Sequence, residues 1–196
     1  MIVLILMAVG LVGWFGYSQQ RDLNALSTDT QLKQAYDRVR DVLKARENQA
    51  LTLSHAIANS PGFAEHLDRK DRDWLFENFT PTFLAARAQG IDLINGFRPP
   101  GINEIRWHNP TVFGDSIVGR RLSVTTALSS GRPQAGLEQG LGKSLGLFAP
   151  VPVRIGDRIV GVVDAGSFIT QTFADDIKKR LGVDVGFHVR QADRRH

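Results

Sequence analysis

The chain has 196 residues, 42% hydrophobic and 22% charged, with a formal net charge of +4 and no cysteine. That length holds one ordinary domain plus a helical extension, not two full domains. The missing cysteines exclude disulfides, zinc–thiolate sites and thiol nucleophiles. The basic excess does not make a nucleic-acid face: Arg190, Arg194 and Arg195 against Asp193 supply +2 of it, and no basic stripe is interleaved with stacking aromatics.

Met1–Tyr17 is uncharged and almost wholly apolar, near the lower limit of about 17–25 residues for a membrane span. It lacks the basic leader and small-residue cleavage site of a signal peptide, so an uncleaved membrane anchor is expected. Arg21, Lys33 and Arg38 follow it and no Lys or Arg precedes it. Charge alone would therefore put the body in the cytoplasm, a conflict that a short basic leader ahead of Met1 would remove. A long helix from about Asp22 to Asn59 comes next. Leu32, Tyr36, Val39, Leu43, Arg46, Ala50, Leu53 and Ile57 form its heptad-like seam. The seam either packs on its own domain or forms the stalk of a homodimer.

Ser60-Pro61-Gly62 stops that helix and starts a short one, with Ser60 as N-cap and Pro61 at the first helical position. Asp71 opens a further helix that Pro81 should kink or restart and Gly90 should end. From residue 91 the pattern becomes extended. Strands are expected at Ile91–Phe97, Asn103–His108, Gln134–Gln139, Ser144–Ile155, Arg158–Gly166 and Val183–Val189. Between them a helix capped by Asp115 or Ser116 carries Ile117, Arg121, Val124 and Leu128 on one stripe, and another spans Phe168–Leu181. Hairpin-connected strands with inserted helices describe an α+β domain on one antiparallel sheet.

Arg106, His108 and Arg121 place cationic or titratable groups where the apolar pattern leaves little room for them. Strand alternation sets Glu104, Arg106 and His108 on one face. That face is either solvated, with a surface ion pair, or the floor of a carboxylate pocket with one fixed cation and one titratable donor. Arg121 interrupts an apolar stripe, and a guanidinium drawn toward a core needs an anion. Asp164, at the end of the face carrying Val160 and Val162, is the economical internal partner; otherwise it receives a ligand ammonium or hydroxyl, and Glu138 has the same two readings. Asp115 orients a neighbour. His55 and His66 read as surface or packing residues. Catalytic templates fail: Ser116 and Ser123 lack nucleophile-elbow glycines, and Gly140-Leu141-Gly142-Lys143-Ser144 is too short for a phosphate loop. No paired-histidine spacing argues for a metal. No cofactor or catalytic role is expected.

The run Ile105-Arg106-Trp107-His108-Asn109-Pro110-Thr111-Val112-Phe113-Gly114-Asp115, followed by Arg121, Pro133 and Gly136-Leu137-Glu138-x-Gly140, resembles the periplasmic Cache (PAS-like) sensor domains of bacterial chemoreceptors and diguanylate cyclases, of the double-Cache type. Leu145-Gly146-Leu147, Val151-Pro152-Val153 and Gly161-Val162-Val163-Asp164-x-Gly166 extend the likeness over roughly Leu43 to Val189. Phe148 stands where that pattern has an Arg, and Asp164 where Glu is usual. The resemblance implies a PAS-like antiparallel sheet behind a long N-terminal helix, in a periplasmic domain on the bacterial inner membrane. It also implies a second span and an output module outside this chain, which reads as a fragment with a single Cache-like module. The expected division is an anchor at 1–17, a stalk-like helix at 18–59, a sensor domain at 60–190 and a basic tail at 191–196. The expected ligand is a small anion, a carboxylate, held by Arg106, His108, Asp115, Arg121, Glu138 and Asp164. The alternative is a membrane-anchored structural or partner-binding domain with no small ligand.

Overall fold

The structure is a computed structural model that describes residues 30–140 and 144–187 in full, and the helical backbone of residues 2–29. Helix α1 (Ile2–Ala58) leads. The apolar run Met1–Tyr17, read as an anchor, lies outside the fully described residues, as does the basic tail. Among the described residues no helix is long and apolar enough to cross a membrane. The seam of α1 divides. Ala50 and Ile57 are buried where the C-terminal part of the helix lies on the sheet, whereas Leu32 and Tyr36 are 68% and 65% exposed.

Helices α2 (Phe63–Asp68) and α3 (Arg72–Ala88) follow. Ser60 is not the N-cap of α2; Gly62 takes that place at φ 81°, and the Ser60 hydroxyl donates back to Ala56 O at 2.8 Å. Asp71 does cap α3, accepting from Trp74 N at 3.2 Å. Pro81 sits inside α3 without ending it.

Five strands, β1 (Leu93–Arg98), β2 (Ile102–Arg106), β3 (Gly136–Gln139), β4 (Leu145–Ile155) and β5 (Arg158–Phe168), form one antiparallel sheet in the order β2-β1-β5-β4-β3. Alternation gives it two faces. Ile94, Ile105, Ala149, Val151, Val163 and Ala165 join Phe63, Leu67, Leu75 and Ile57 in the main core beneath α1–α3. Full burial of a side chain such as Ile105 is worth about 1.5–3 kcal/mol. Between these layers the Ala165 amide donates to the buried Ser54 hydroxyl of α1 at 2.9 Å. The opposite face carries Phe97 and Val162 under Ile117, Val124 and Ala127. It is covered by the segment 107–121 and by helix α4 (Leu122–Ser130). Helix α5 (Gln171–Leu181) is the last helix of the described residues, capped by Thr170, whose hydroxyl accepts from Phe173 N at 3.2 Å.

Further expectations need correction. Arg121 is not inside a helix: α4 begins at Leu122, and Arg121 is its N-cap residue with φ −119° and ψ 87°. Neither Asp115 nor Ser116 caps it. The residues Val183–Phe187 of the expected last strand form no strand, and His188 and Val189 lie outside the described residues. Glu104 does not share a face with Arg106 as simple alternation requires. The β1–β2 register shifts between Gly96 and Phe97, pairing Asn95 with Arg106 but Phe97 with Asn103 and leaving Glu104 as the extra residue of a bulge. Nor is this a solvated face: Glu104 and Arg106 are both buried, and Glu104 pairs with Arg98 at 2.8 Å.

Candidate ligand-binding cavity

Two buried arginines organise the covered face, and each is held by carboxylates from another element. Arg106, at the end of β2, forks onto Asp115: Nη1 donates to Oδ1 at 2.7 Å and Nη2 to Oδ2 at 3.0 Å. Nη1 also donates to Val112 O at 2.7 Å, so one side chain pins both limbs of the loop that crosses the sheet. Arg120 meets Asp115 from outside at 2.9 Å. Hydrogen bonding from Arg106, opposed by partial burial and helped by Arg120, holds the Asp115 carboxyl below the usual range.

Arg121 is 6% exposed. Its Nε donates to Glu138 on β3 at 2.9 Å and its Nη2 to Asp164 on β5 at 2.7 Å. Its guanidinium carbon stands 3.9 Å from the centre of the Phe148 ring on β4. Asp164 is fully buried; its second oxygen accepts from Ala149 N at 3.1 Å. Burial pushes the Asp164 carboxyl up, against the pull of Arg121. Glu138 serves two ends. Besides Arg121 it accepts from Ser123 N at 3.0 Å and from the Ser123 hydroxyl. It thereby supplies from β3 the cap that α4 lacks locally. Burial raises the Glu138 pKa, but Ser123 and Arg121 outweigh it and the net direction is down.

Between these pairs lies a cavity of about 60 Å³, bounded by Leu93, Asn95, Phe97, Asn103, Arg106, His108, Ile117, Arg121, Gly140, Phe148 and Phe168. Asn95 is 4% exposed and Asn103 fully buried, yet Asn95 Oδ1 and both amide atoms of Asn103 have no hydrogen-bond partner among the described residues. Leaving such a group unpaired costs about 1–3 kcal/mol. A guanidinium carries five N–H donors, and the partners of Arg121, Glu138 and Asp164, take Nε and Nη2. His108 lies at the rim, exposed; loss of water around the ring and the charges of Arg106 and Arg87 lower its pKa to about 4, so it is neutral at pH 7.

Of the six residues expected at the site, Arg106, His108 and Arg121 border the cavity. Asp115, Glu138 and Asp164 stand behind them as partners of the arginines. The anion that Arg121 requires comes from the chain itself. Asn95 and Asn103 were missed. Asn95 was detectable as the one amide in the otherwise apolar run Leu93-Ile94-Asn95-Gly96-Phe97; Asn103 was hidden by the bulge, which brings it to the face of Arg106 at a spacing of three. Among the described residues no cluster of three or more His, Asp or Glu side chains is placed to hold a metal ion.

Solved structures share this architecture. The ligand-binding domain of the Campylobacter jejuni chemoreceptor Tlp3, in complex with L-valine, matches with a TM-score of 0.54 at 14% identity, over 80% of this chain and 62% of that one. A domain of a putative sensory box/GGDEF family protein from Vibrio parahaemolyticus matches with a TM-score of 0.50 at 15% identity, over 76% and 61%. The E. coli DcuS sensor domain matches with a TM-score of 0.51 at 16% identity, over 72% of this chain and 98% of that one. The chain thus spans less than two thirds of the first two. At these identities the likeness is one of fold. No curated protein matches by sequence. The family described as the double sensory domain of two-component sensor kinase (dCache_3) matches residues 25–194. One antiparallel sheet behind a long helix, a covered polar face and a family match over most of its length converge: the chain belongs to the dCache_3 family of Cache sensory domains.

Proposed function

We propose that this domain is the extracytoplasmic sensor of a bacterial transmembrane signalling receptor, a chemoreceptor or a sensor kinase or diguanylate cyclase, and that it binds a small carboxylate in the cavity between Arg106 and Arg121. The observation that carries this is three buried amide atoms, Asn95 Oδ1 and both of Asn103, that have no partner among the described residues and border a cavity whose wall includes the Arg121 guanidinium. Three unsatisfied amide atoms without a ligand are a standing cost that a bound polar molecule would remove. Volume limits that molecule. At ~30 Å³ per water, 60 Å³ is the space of about two waters, less than glycolate or alanine fills, so the ligand is a carboxylate of two or three carbons whose entry parts the lining slightly, and longer acids are disfavoured.

Charge and hydrogen-bond capacity refine the class. Arg106, Arg120 and Arg121 balance Asp115, Glu138 and Asp164. The carboxylate is received by the Arg121 guanidinium and Asn103 Nδ2, while the two amide oxygens call for a donor. A hydroxyl or amino group beside the carboxylate meets both demands. With Met1–Tyr17 as its membrane anchor, the domain lies in the periplasm, and the exposed Leu32–Tyr36 end of the seam serves a homodimer.

The test is a thermal-shift screen of glycolate, lactate, glycine, alanine, acetate and propionate. A ligand at a hundred times its dissociation constant stabilises by about 2.7 kcal/mol. Hydroxy or amino acids should outperform acetate and propionate. If none shifts the midpoint, the second reading, a membrane-anchored partner-binding domain without a small ligand, takes over. Its supporting observation is that Glu138 and Asp164 already answer Arg121.

A further inference from the structure

The wall of the cavity formed by Phe148 is built differently from the rest. Phe148 is 1% exposed and lies on β4, where its ring faces the Arg121 guanidinium on one side. Around the ring the chain has no side chains at three positions. A Cβ at Gly146 would stand 2.6 Å from Phe148 Cζ, one at Gly166 would stand 2.7 Å from Cδ1, and one at Gly140 would stand 3.3 Å from Cζ. The first two distances are closer than carbon atoms approach without a shift. Gly146 is in register with Phe168, and Phe148 with Gly166. The Phe168 ring meets Phe148 edge-on at 6.4 Å between centres. Three glycines and one aromatic edge therefore form a socket in which the Phe148 ring is seated against the arginine.

A ring held this way cannot swing aside to admit a larger molecule. An aromatic side chain rotating out of its well needs room in the neighbouring wall. Here one side is the ion-paired Arg121, another Phe168 and a third the glycine backbone, so the ring can turn only into the cavity that it already narrows. We propose that Phe148 sets the size limit of this receptor: its ring occupies the volume in which the side chain of a longer ligand would sit, and the glycine socket holds it there. This rests on the carboxylate reading for the polar end of the ligand, but the socket itself is tested without it.

The experiment compares wild type with Phe148→Ala and, as a variant that keeps the core better filled, Phe148→Leu. Each is titrated by thermal shift with 2-hydroxy acids of two to six carbons, and separately with benzene, whose flat ring fits an apolar space emptied of phenyl. Wild type should respond to the two- and three-carbon acids and need at least about tenfold more of the five- and six-carbon acids. Both variants should reverse that ranking, Phe148→Ala more strongly. Benzene should raise the midpoint of Phe148→Ala and leave wild type unmoved. The proposal is overturned if wild type takes long acids as well as short ones, if both variants keep the wild-type ranking, or if benzene does not stabilise Phe148→Ala. Benzene rescue with no acid bound by any variant supports the socket and removes the carboxylate reading. Acid binding with an unchanged ranking does the opposite.

Discussion

Asn95 and Asp164 face each other across β1 and β5, and only one of them is satisfied. Asp164 accepts from Arg121 and Ala149, whereas Asn95 Oδ1 has no partner among the described residues. On the other flank Asn95 is in register with Arg106. The row Arg106, Asn95, Asp164 thus runs from one ion pair to another through an open hydrogen-bonding position.

That open position makes a first prediction. Asn103→Leu removes two unpartnered buried amide atoms while keeping the heavy-atom count and the branch at Cγ, with the larger methyl groups directed into the cavity, so it should stabilise the ligand-free domain by about 1–3 kcal/mol. It should also abolish the response to any acid that shifts wild type. Urea unfolding with and without ligand measures both; destabilisation by Asn103→Leu would mean that the amide has a partner in solution.

Asp164→Ala strips Arg121 of its fully buried partner and frees Ala149 N. The expected cost is about 3–5 kcal/mol, the range for half of a buried ion pair. Arg121→Lys keeps the charge and should still lose stability, because one ammonium cannot span Glu138 and Asp164 while lying flat on Phe148. Chemical denaturation of both variants checks the order, with Asp164→Ala the less stable.

His108 gives a pH prediction. Its folded pKa of about 4 lies below the ordinary 6.5, so between those values the unfolded chain binds the extra proton. Stability from this group is present above pH 6.5 and falls as pH drops toward 4. The lowered Asp115 and Glu138 act in the same sense, losing their contribution as pH falls through their folded pKa values. An NMR titration should find the His108 imidazole still mostly neutral at about pH 5. Arg106→Gln should raise its midpoint, since Arg106 supplies one of the two charges that depress it.

Arg72 of α3 reaches around the β2 edge to the loop over the cavity. It donates to Glu104 O at 3.0 Å and Pro110 O at 2.8 Å, and its guanidinium lies 3.4 Å from the centre of the Phe113 ring. Arg72→Ala should cost about 1–3 kcal/mol, from two charged hydrogen bonds and a cation–π contact that is partly exposed. Hydrogen exchange should rise first in the loop segment 109–114. Uniform loss of protection across the sheet instead would show that Arg72 supports the whole fold rather than the loop.

Much of this molecule is written in local pattern. Period-two alternation and turn residues define β1, β2, β4 and β5 to within a few residues, because each strand has one face on a core. The heptad-like seam marks α1, and the need of a guanidinium for an anion marks Arg106 and Arg121 before any contact is known. Other features depend on neighbours distant in sequence. A one-residue bulge at Glu104 re-phased β2 and carried Asn103 to the cavity; bulges follow from the partner strand, not from the strand's own residues. The start of α4 was placed too early because its cap comes from Glu138 on β3 rather than from a local side chain. Which carboxylate answers which arginine was also a tertiary decision. Asp115 took Arg106, while Asp164 and Glu138 together took Arg121, since a buried charge must find a partner and only the packed sheet determines which carboxylate comes within hydrogen-bonding reach.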